Sequence, residues 1–171
     1  MTTARSARSA KTPIANPATA ILTQSKRFPL VWDDLRTPMP TWRALLPETR
    51  DPRQADWRGN GGWVLKPALG RVGEGVGIAE AVEAREWQKI QRAAAWWPGH
   101  WIAQRRFHTT PLAGGVDGAA TPAMFPCLGV YTVNARVAGA YGRLAPRQLI
   151  DARAADAAML QAGRARVEDC R

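Results

Sequence analysis

Val64-Leu65-Lys66-Pro67-Ala68-Leu69-Gly70-Arg71-Val72-Gly73-Glu74-Gly75-Val76-Gly77 is the stretch on which the reading of this sequence turns. The apolar run from Trp63 to Lys66 predicts a short buried strand, stopped by Pro67, which cannot donate to a ladder. Glycines at 70, 73, 75 and 77 follow at once. Polyphosphate binding needs a fixed cation to neutralise oxygen charge and backbone N–H groups that no Cβ obstructs, and a strand-borne lysine before a glycine loop offers both. The same residues also suit a plain turn beside a solvated edge lysine. Two familiar loops are excluded: no Gly-Lys-Ser/Thr opens the next helix, and GxGxxG does not fall in the dinucleotide-binding register.

Downstream of the loop, Ala81, Val82, Ala84, Trp87, Ile90 and Ala94 recur at helical spacing and predict a helix over 78–97, ended by Pro98-Gly99. Trp101 to Phe107 reads as a strand and Thr109 to Pro122 as a loop. Met124 to Asn134 and Arg136 to Leu144 read as an antiparallel hairpin with its turn near Asn134-Ala135. The Ala-rich tail from Asp151 reads as helical. Upstream, residues 21–60 carry short apolar runs broken by prolines and predict short helices and loops, closed by Gly59-Asn60-Gly61-Gly62. The expected organisation is a disordered basic arm at 1–20, one domain at 21–160 and a frayed tail at 161–171. No internal repeat is present.

Length and composition bound the function. A chain of 171 residues with 46% hydrophobic and 22% charged residues is an ordinary globular composition with one modest core. Lys+Arg number 24 against 14 Asp+Glu, a net charge of +10 that favours phosphate-bearing molecules, nucleic acid or acidic surfaces, or reflects background bias towards arginine. Cys127 and Cys170 lack CxxC spacing, so neither a disulfide framework nor a zinc site is signalled. No apolar stretch reaches the roughly 20 residues of a membrane span, and a cytoplasmic location is expected. His100 and His108 stand eight apart, a spacing unlike short metal-ligand motifs. The eight tryptophans are expected in cores and interfaces rather than as base-stacking platforms.

Taken together, Ser25-Lys26 before an apolar Pro-Leu-Val-Trp run, Leu45-Leu46-Pro47, the K-P-x-x-G-R-x-G core at Lys66–Gly73, the strand WIAQRRF and the segment GVYTVNARVAGAYGRL resemble the C-terminal half of the glutathionylspermidine synthase family. The resemblance covers about three quarters of the chain. It implies an α+β fold: part of an ATP-grasp fold, with a mostly antiparallel sheet, a Gly-rich phosphate loop and flanking helices. It further implies that Lys66, and an earlier lysine at Lys26, contact the phosphates of ATP, with the Val72-Gly73 backbone closing over the nucleotide. Arg71 and Arg143 fall on the arginines placed at the reacting phosphates. Arginine suits that task because its planar fork meets two oxygens and stays charged. Ala103, Gln104 and Arg105 fall on the hinge strand whose backbone meets the adenine edge, and Gln148, Leu149 and Ile150 on a further stretch beside the nucleotide.

The reaction this implies joins a peptide carboxylate, that of glutathione, to an amine of a polyamine through an acyl phosphate, with Mg2+ as cofactor. The family's Mg2+ ligands lie upstream of the matched segment, so no metal ligand is assigned in this chain, and a second chain or a missing segment is expected to complete the site. Three functions follow from this reading. The first is an incomplete ATP-dependent carboxylate–amine ligase domain; the second is an inactive gene-fragment remnant of one. The third is a basic nucleic-acid-binding module, the less favoured partner class. Nucleic-acid binding expects a contiguous basic stripe, whereas the ligase reading expects Lys66, Arg71 and Arg143 to converge.

Overall fold

The structure is a computed structural model that describes residues 19–112, 122–134 and 136–159. It is α+β, with two separate three-stranded antiparallel sheets. The chain divides into two compact units, residues 1–107 and 108–171. The expected single sheet carrying Lys66, the hinge strand and the hairpin is therefore corrected: the described strands on either side of residue 107 pair only within their own unit.

In the first unit the elements are helix α1 (Ala20–Gln24), a 3-10 stretch over Phe28–Asp34, helix α2 (Pro40–Leu45), strand β1 (Thr49–Arg50), strand β2 (Trp63–Pro67), helix α3 (Ala84–Trp96) and strand β3 (Trp101–Arg105). Their order in the sheet is β1-β3-β2. Strand β2 begins at Trp63 as the sequence predicts, after the turn at Gly59, where φ is +69°, and runs one residue past the expected end at Lys66 to include Pro67. One face of the sheet meets α3: Ile90 and Ala94 pack with Leu65, Ala103, Trp57 and Trp63.

The predicted helix over 78–97 begins six residues late, at Ala84. The periodic apolar residues ahead of it belong to turns, because Gly77 pairs its backbone with Leu65 in both directions, at 3.0 and 2.8 Å. That pairing draws Gly77 against the helix. A Cβ there would stand 2.7 Å from the Trp87 ring and 2.8 Å from an Ile90 methyl, so only glycine fits. Pro98 then ends the helix, as expected.

Arg27 fastens the N-terminal segment to this frame. Its guanidinium donates to the carbonyls of Pro98 and Trp101 at 3.0 and 2.8 Å and to Asp51 Oδ2 at 2.8 Å. Asp51 is buried, and Arg53 adds two side-chain hydrogen bonds at 2.8 and 2.9 Å.

The second unit is a hairpin of β4 (Phe125–Val133) and β5 (Arg136–Ala145), with β6 (Ala155–Ala157) on the far edge of β5. Asn134 takes the left-handed conformation in the turn, at φ +49°. The helical tail expected from Asp151 is corrected: residues 152–153 turn and 155–157 pair with β5, while residues from 160 lie outside the described residues. The arm at 1–20 lies outside them except for Thr19 and Ala20, and so does the frayed tail at 161–171.

Hydrogen bonds from Arg53, opposed by burial and reinforced by Arg27, hold the Asp51 carboxyl well below the usual carboxylate range. A depressed folded-state pKa stabilises the fold above the unfolded carboxylate value of about 3.9, and that contribution is lost as pH falls through the folded value. Asp51→Ala should therefore cost about 2 kcal/mol at pH 7, below the range for fully buried pairs because both arginines are part-exposed. In urea denaturation the gap from the wild type should shrink steadily below about pH 4.

Candidate anion pocket

A pocket of about 590 Å3 opens on the sheet of the first unit. The chain assembles it from two segments far apart in sequence. One wall is the proline-rich N-terminal stretch, which contributes Phe28, Pro29 and Trp32 from the 3-10 turn and Met39, Trp42 and Leu46 around α2. The floor is the sheet, through Lys66, Ile102 and Gln104. Lys26 stands at the rim with Thr23, Gln24 and Ser25.

Lys66 reaches the pocket because strand alternation sends its neighbour Leu65 to the buried core face and Lys66 to the other. Its Nζ donates to Gln104 Oε1 at 2.6 Å, and Gln104 Nε2 donates onward to Thr49 Oγ1 at 2.9 Å. The acceptor beside Lys66 is therefore a neutral amide held in one orientation. Lys26 is fixed at both ends. Its backbone N–H donates to the Ala68 carbonyl at 2.9 Å and its Nζ to the Gly70 carbonyl at 2.9 Å, which ties the rim to the start of the 70–77 segment.

No carboxylate or arginine lines this pocket, and neither lysine has an ion pair among the described residues. Burial, and after it the Lys26 ammonium, draw Lys66 below the ordinary lysine range; burial does the same to Lys26. Two cations in an apolar pocket without an acidic partner are costly unless an anion joins them. Trp32, in the wall, also buries its indole N–H without an acceptor, a cost of roughly 1–3 kcal/mol.

The other residues expected at a nucleotide site distribute as follows. The segment with Arg71, Val72 and Gly73 does not line the pocket. It forms a tight turn closed by the Glu74 N–H on the Arg71 carbonyl at 2.9 Å, with Val72 and Gly73 at φ +51° and +72°. A β-branched residue in the left-handed region is strained by about 1–3 kcal/mol. Arg71 is exposed, and its side chain makes no ion pair among the described residues, so it does not fasten the loop to Glu74. Of Lys66, Arg71 and Arg143, the three residues expected to converge, Lys66 alone lines this pocket.

On the hinge strand only the Gln104 side chain enters the pocket. The backbone edges of Ala103, Gln104 and Arg105 are occupied: β2 pairs with all three, β1 pairs with Gln104 and Ala103, and the Arg105 N–H donates to Glu48 at 2.7 Å. The expected adenine contact through that backbone is corrected accordingly. Arg143 belongs to the second unit, where it donates to the carbonyls of Asp151 and Ala154 at 3.0 and 3.1 Å and pairs with Asp156. Gln148, Leu149 and Ile150 are half-buried after β5, and Leu149 lines a smaller hollow of about 270 Å3. His100 and His108 are exposed.

Among the described residues, no group of three or more His, Cys, Asp and Glu is placed to hold a metal ion. Among the same residues, no helix is long and apolar enough to cross a membrane. No known protein family, curated protein or solved structure matches the chain.

In the wall, Pro29, Trp32 and Leu46 belong to runs the sequence marks, whereas Met39, Trp42 and Arg27 carry no mark there. The signal for Met39 and Trp42 was their place after the FPLVW run; Arg27 gives none, since its partner Asp51 lies 24 residues away.

A lysine with a lowered folded-state pKa leaves the unfolded chain binding more protons, so stability rises with pH between the folded value and about 10.4. Lys66→Met removes this dependence. The stability of the wild type relative to Lys66→Met should therefore increase from pH 7 to 10, by no more than about 1.4 kcal/mol per pH unit. Any offset from depriving Gln104 of its donor leaves that slope unchanged. A flat difference across the range would show that Lys66 carries no burial cost.

Proposed function

We propose that this pocket binds ATP and that the chain is the nucleotide-binding part of a carboxylate–amine ligase domain of the glutathionylspermidine synthase type, built on part of an ATP-grasp fold. One observation carries the reading: Lys26 and Lys66, forty residues apart and both expected at nucleotide phosphates, line one pocket with Gln104. The volume falls within the range of small-molecule sites, and an apolar body beside uncompensated cations suits a base and its phosphates.

Within this reading the chain's task is positioning and charge neutralisation, which dominate phosphoryl transfer. Bound ATP would supply the phosphoryl group that activates a carboxylate as an acyl phosphate for attack by an amine. The Lys66 ammonium, oriented by Gln104, and the Lys26 ammonium neutralise phosphate oxygens. Phe28, Trp32, Met39 and Trp42 take the base. Glutathione and a polyamine are the substrates the family resemblance suggests.

Calorimetric titration with ATP, with and without Mg2+, tests this. The folded wild type should bind, and Lys66→Ala should weaken binding by about tenfold to a hundredfold, as for loss of a charged hydrogen bond. Arg71→Ala should weaken it less, since Arg71 lies outside the pocket lining. Failure of a folded wild type to bind ATP would replace this reading with that of an inactive remnant.

A further inference from the structure

The chain contains 20 arginines and only four lysines, at 11, 26, 66 and 89. Two of those four lysines line the pocket, and no arginine does. Charge alone does not explain that selection, because arginine would bind an anion at least as well. What lysine adds is a proton that can be given up within an ordinary pH range, exposing an amine nucleophile.

We infer that Lys66 is a reactive amine that forms an imine with an aldehyde or ketone bearing an anionic group and an apolar or aromatic body. The geometry divides the labour between the two lysines. Lys26 sits at the rim with its Nζ on the Gly70 carbonyl, an acceptor that suits an ammonium, and holds the anionic group. Lys66 lies in the same lining as Ile102 and the aromatic wall, half-buried on the sheet. Gln104 decides the state of Lys66. Its Oε1 accepts one N–H of Lys66, and its Nε2 is committed to Thr49, so Lys66 is oriented without a carboxylate that would lock it as an ammonium.

Of the charged groups on the surrounding elements, Arg43 of α2 pairs with Asp33 of the 3-10 stretch and lies over the Trp32 ring, and Asp34 is exposed outside the pocket lining. Glu48, before β1, pairs with Arg50 and Arg105; Arg27, beside Lys26, pairs with Asp51. Burial and the Lys26 charge favour the neutral form of Lys66.

In the reaction the Nζ lone pair adds to the carbonyl carbon, and the carbonyl π pair moves to oxygen, which takes a proton. Nitrogen's first hydrogen balances that proton; the carbinolamine hydroxyl then takes one proton from solvent and leaves as water while the nitrogen lone pair closes the C=N bond and nitrogen returns its remaining hydrogen to solvent as a proton. Amine plus carbonyl gives imine plus water, with no oxidant or reductant. This goes beyond nucleotide binding and stands without it.

The test uses pyridoxal 5'-phosphate, an aryl aldehyde with a phosphate, at limiting concentration with the full chain. Borohydride then traps the imine, and peptide mapping locates the adduct. Lys66 should be labelled clearly faster than the exposed Lys89, because the pocket holds the phosphate at Lys26 beside the Lys66 amine. Gln104→Glu, which supplies the missing carboxylate, should lower Lys66 labelling at pH 7.5 and restore it at higher pH. Equal labelling of Lys66 and Lys89 in the wild type, or a Gln104→Glu variant labelled as fast as the wild type, would overturn the inference. Labelling of Lys66 in a chain that does not bind ATP would sink the nucleotide reading and leave this one standing; ATP binding with no preference for Lys66 would do the reverse.

Discussion

Arg27 donates hydrogen bonds to three points that the chain would otherwise leave unconnected: the Pro98 carbonyl at the exit of α3, the Trp101 carbonyl at the start of β3, and the buried Asp51 carboxylate after β1. A guanidinium is suited to this because its donors diverge in a fixed plane. The N-terminal segment has few buried side chains of its own, Trp32 being the one with little exposure. Its short helices cannot stand alone, since one or two turns do not repay helix nucleation. Held by Arg27, with Lys26 N–H on Ala68, that segment becomes the wall of a pocket rather than a loose strap.

The consequence is an arrangement that works against stability. Lys26 and Lys66 sit in one hollow with an apolar lining and a neutral amide, and no acidic side chain offsets them. The chain does neutralise cations elsewhere: Arg105 pairs with Glu48 and lies over the Trp63 ring, and Arg106 pairs with Glu80. The missing counter-charge in the pocket is thus a local feature. Uncompensated charge and backbone strain concentrate where a ligand completes the interactions, and strained Val72 adjoins the same corner through Gly70 and Lys26.

Much of the fold was legible because its signals are short-range. Pro67, Pro98 and the glycines at 59–62 punctuate β2 and α3 at the expected places, and the Asn134 turn sets the hairpin. Errors arose where tertiary pairing overrode periodicity. Ala81 and Val82 have helical spacing, yet the Gly77–Leu65 pairing commits that stretch to turns. The two-unit division was invisible because strand composition does not say which strands pair. At the site, Lys66 was marked by its strand and the glycines after it. Trp42 and Met39 of the wall were not, because they meet Lys66 only once Arg27 has closed the fold.

Since the chain has only four lysines, their Nζ or Cε resonances can be followed individually in one isotope-labelled sample while ATP is added. If the pocket is an anion site, the Lys26 and Lys66 signals move together and saturate with one dissociation constant, while Lys11 and Lys89 stay in place. Equal, unsaturated movement of all four lysines, or none at Lys26 and Lys66, would contradict the account.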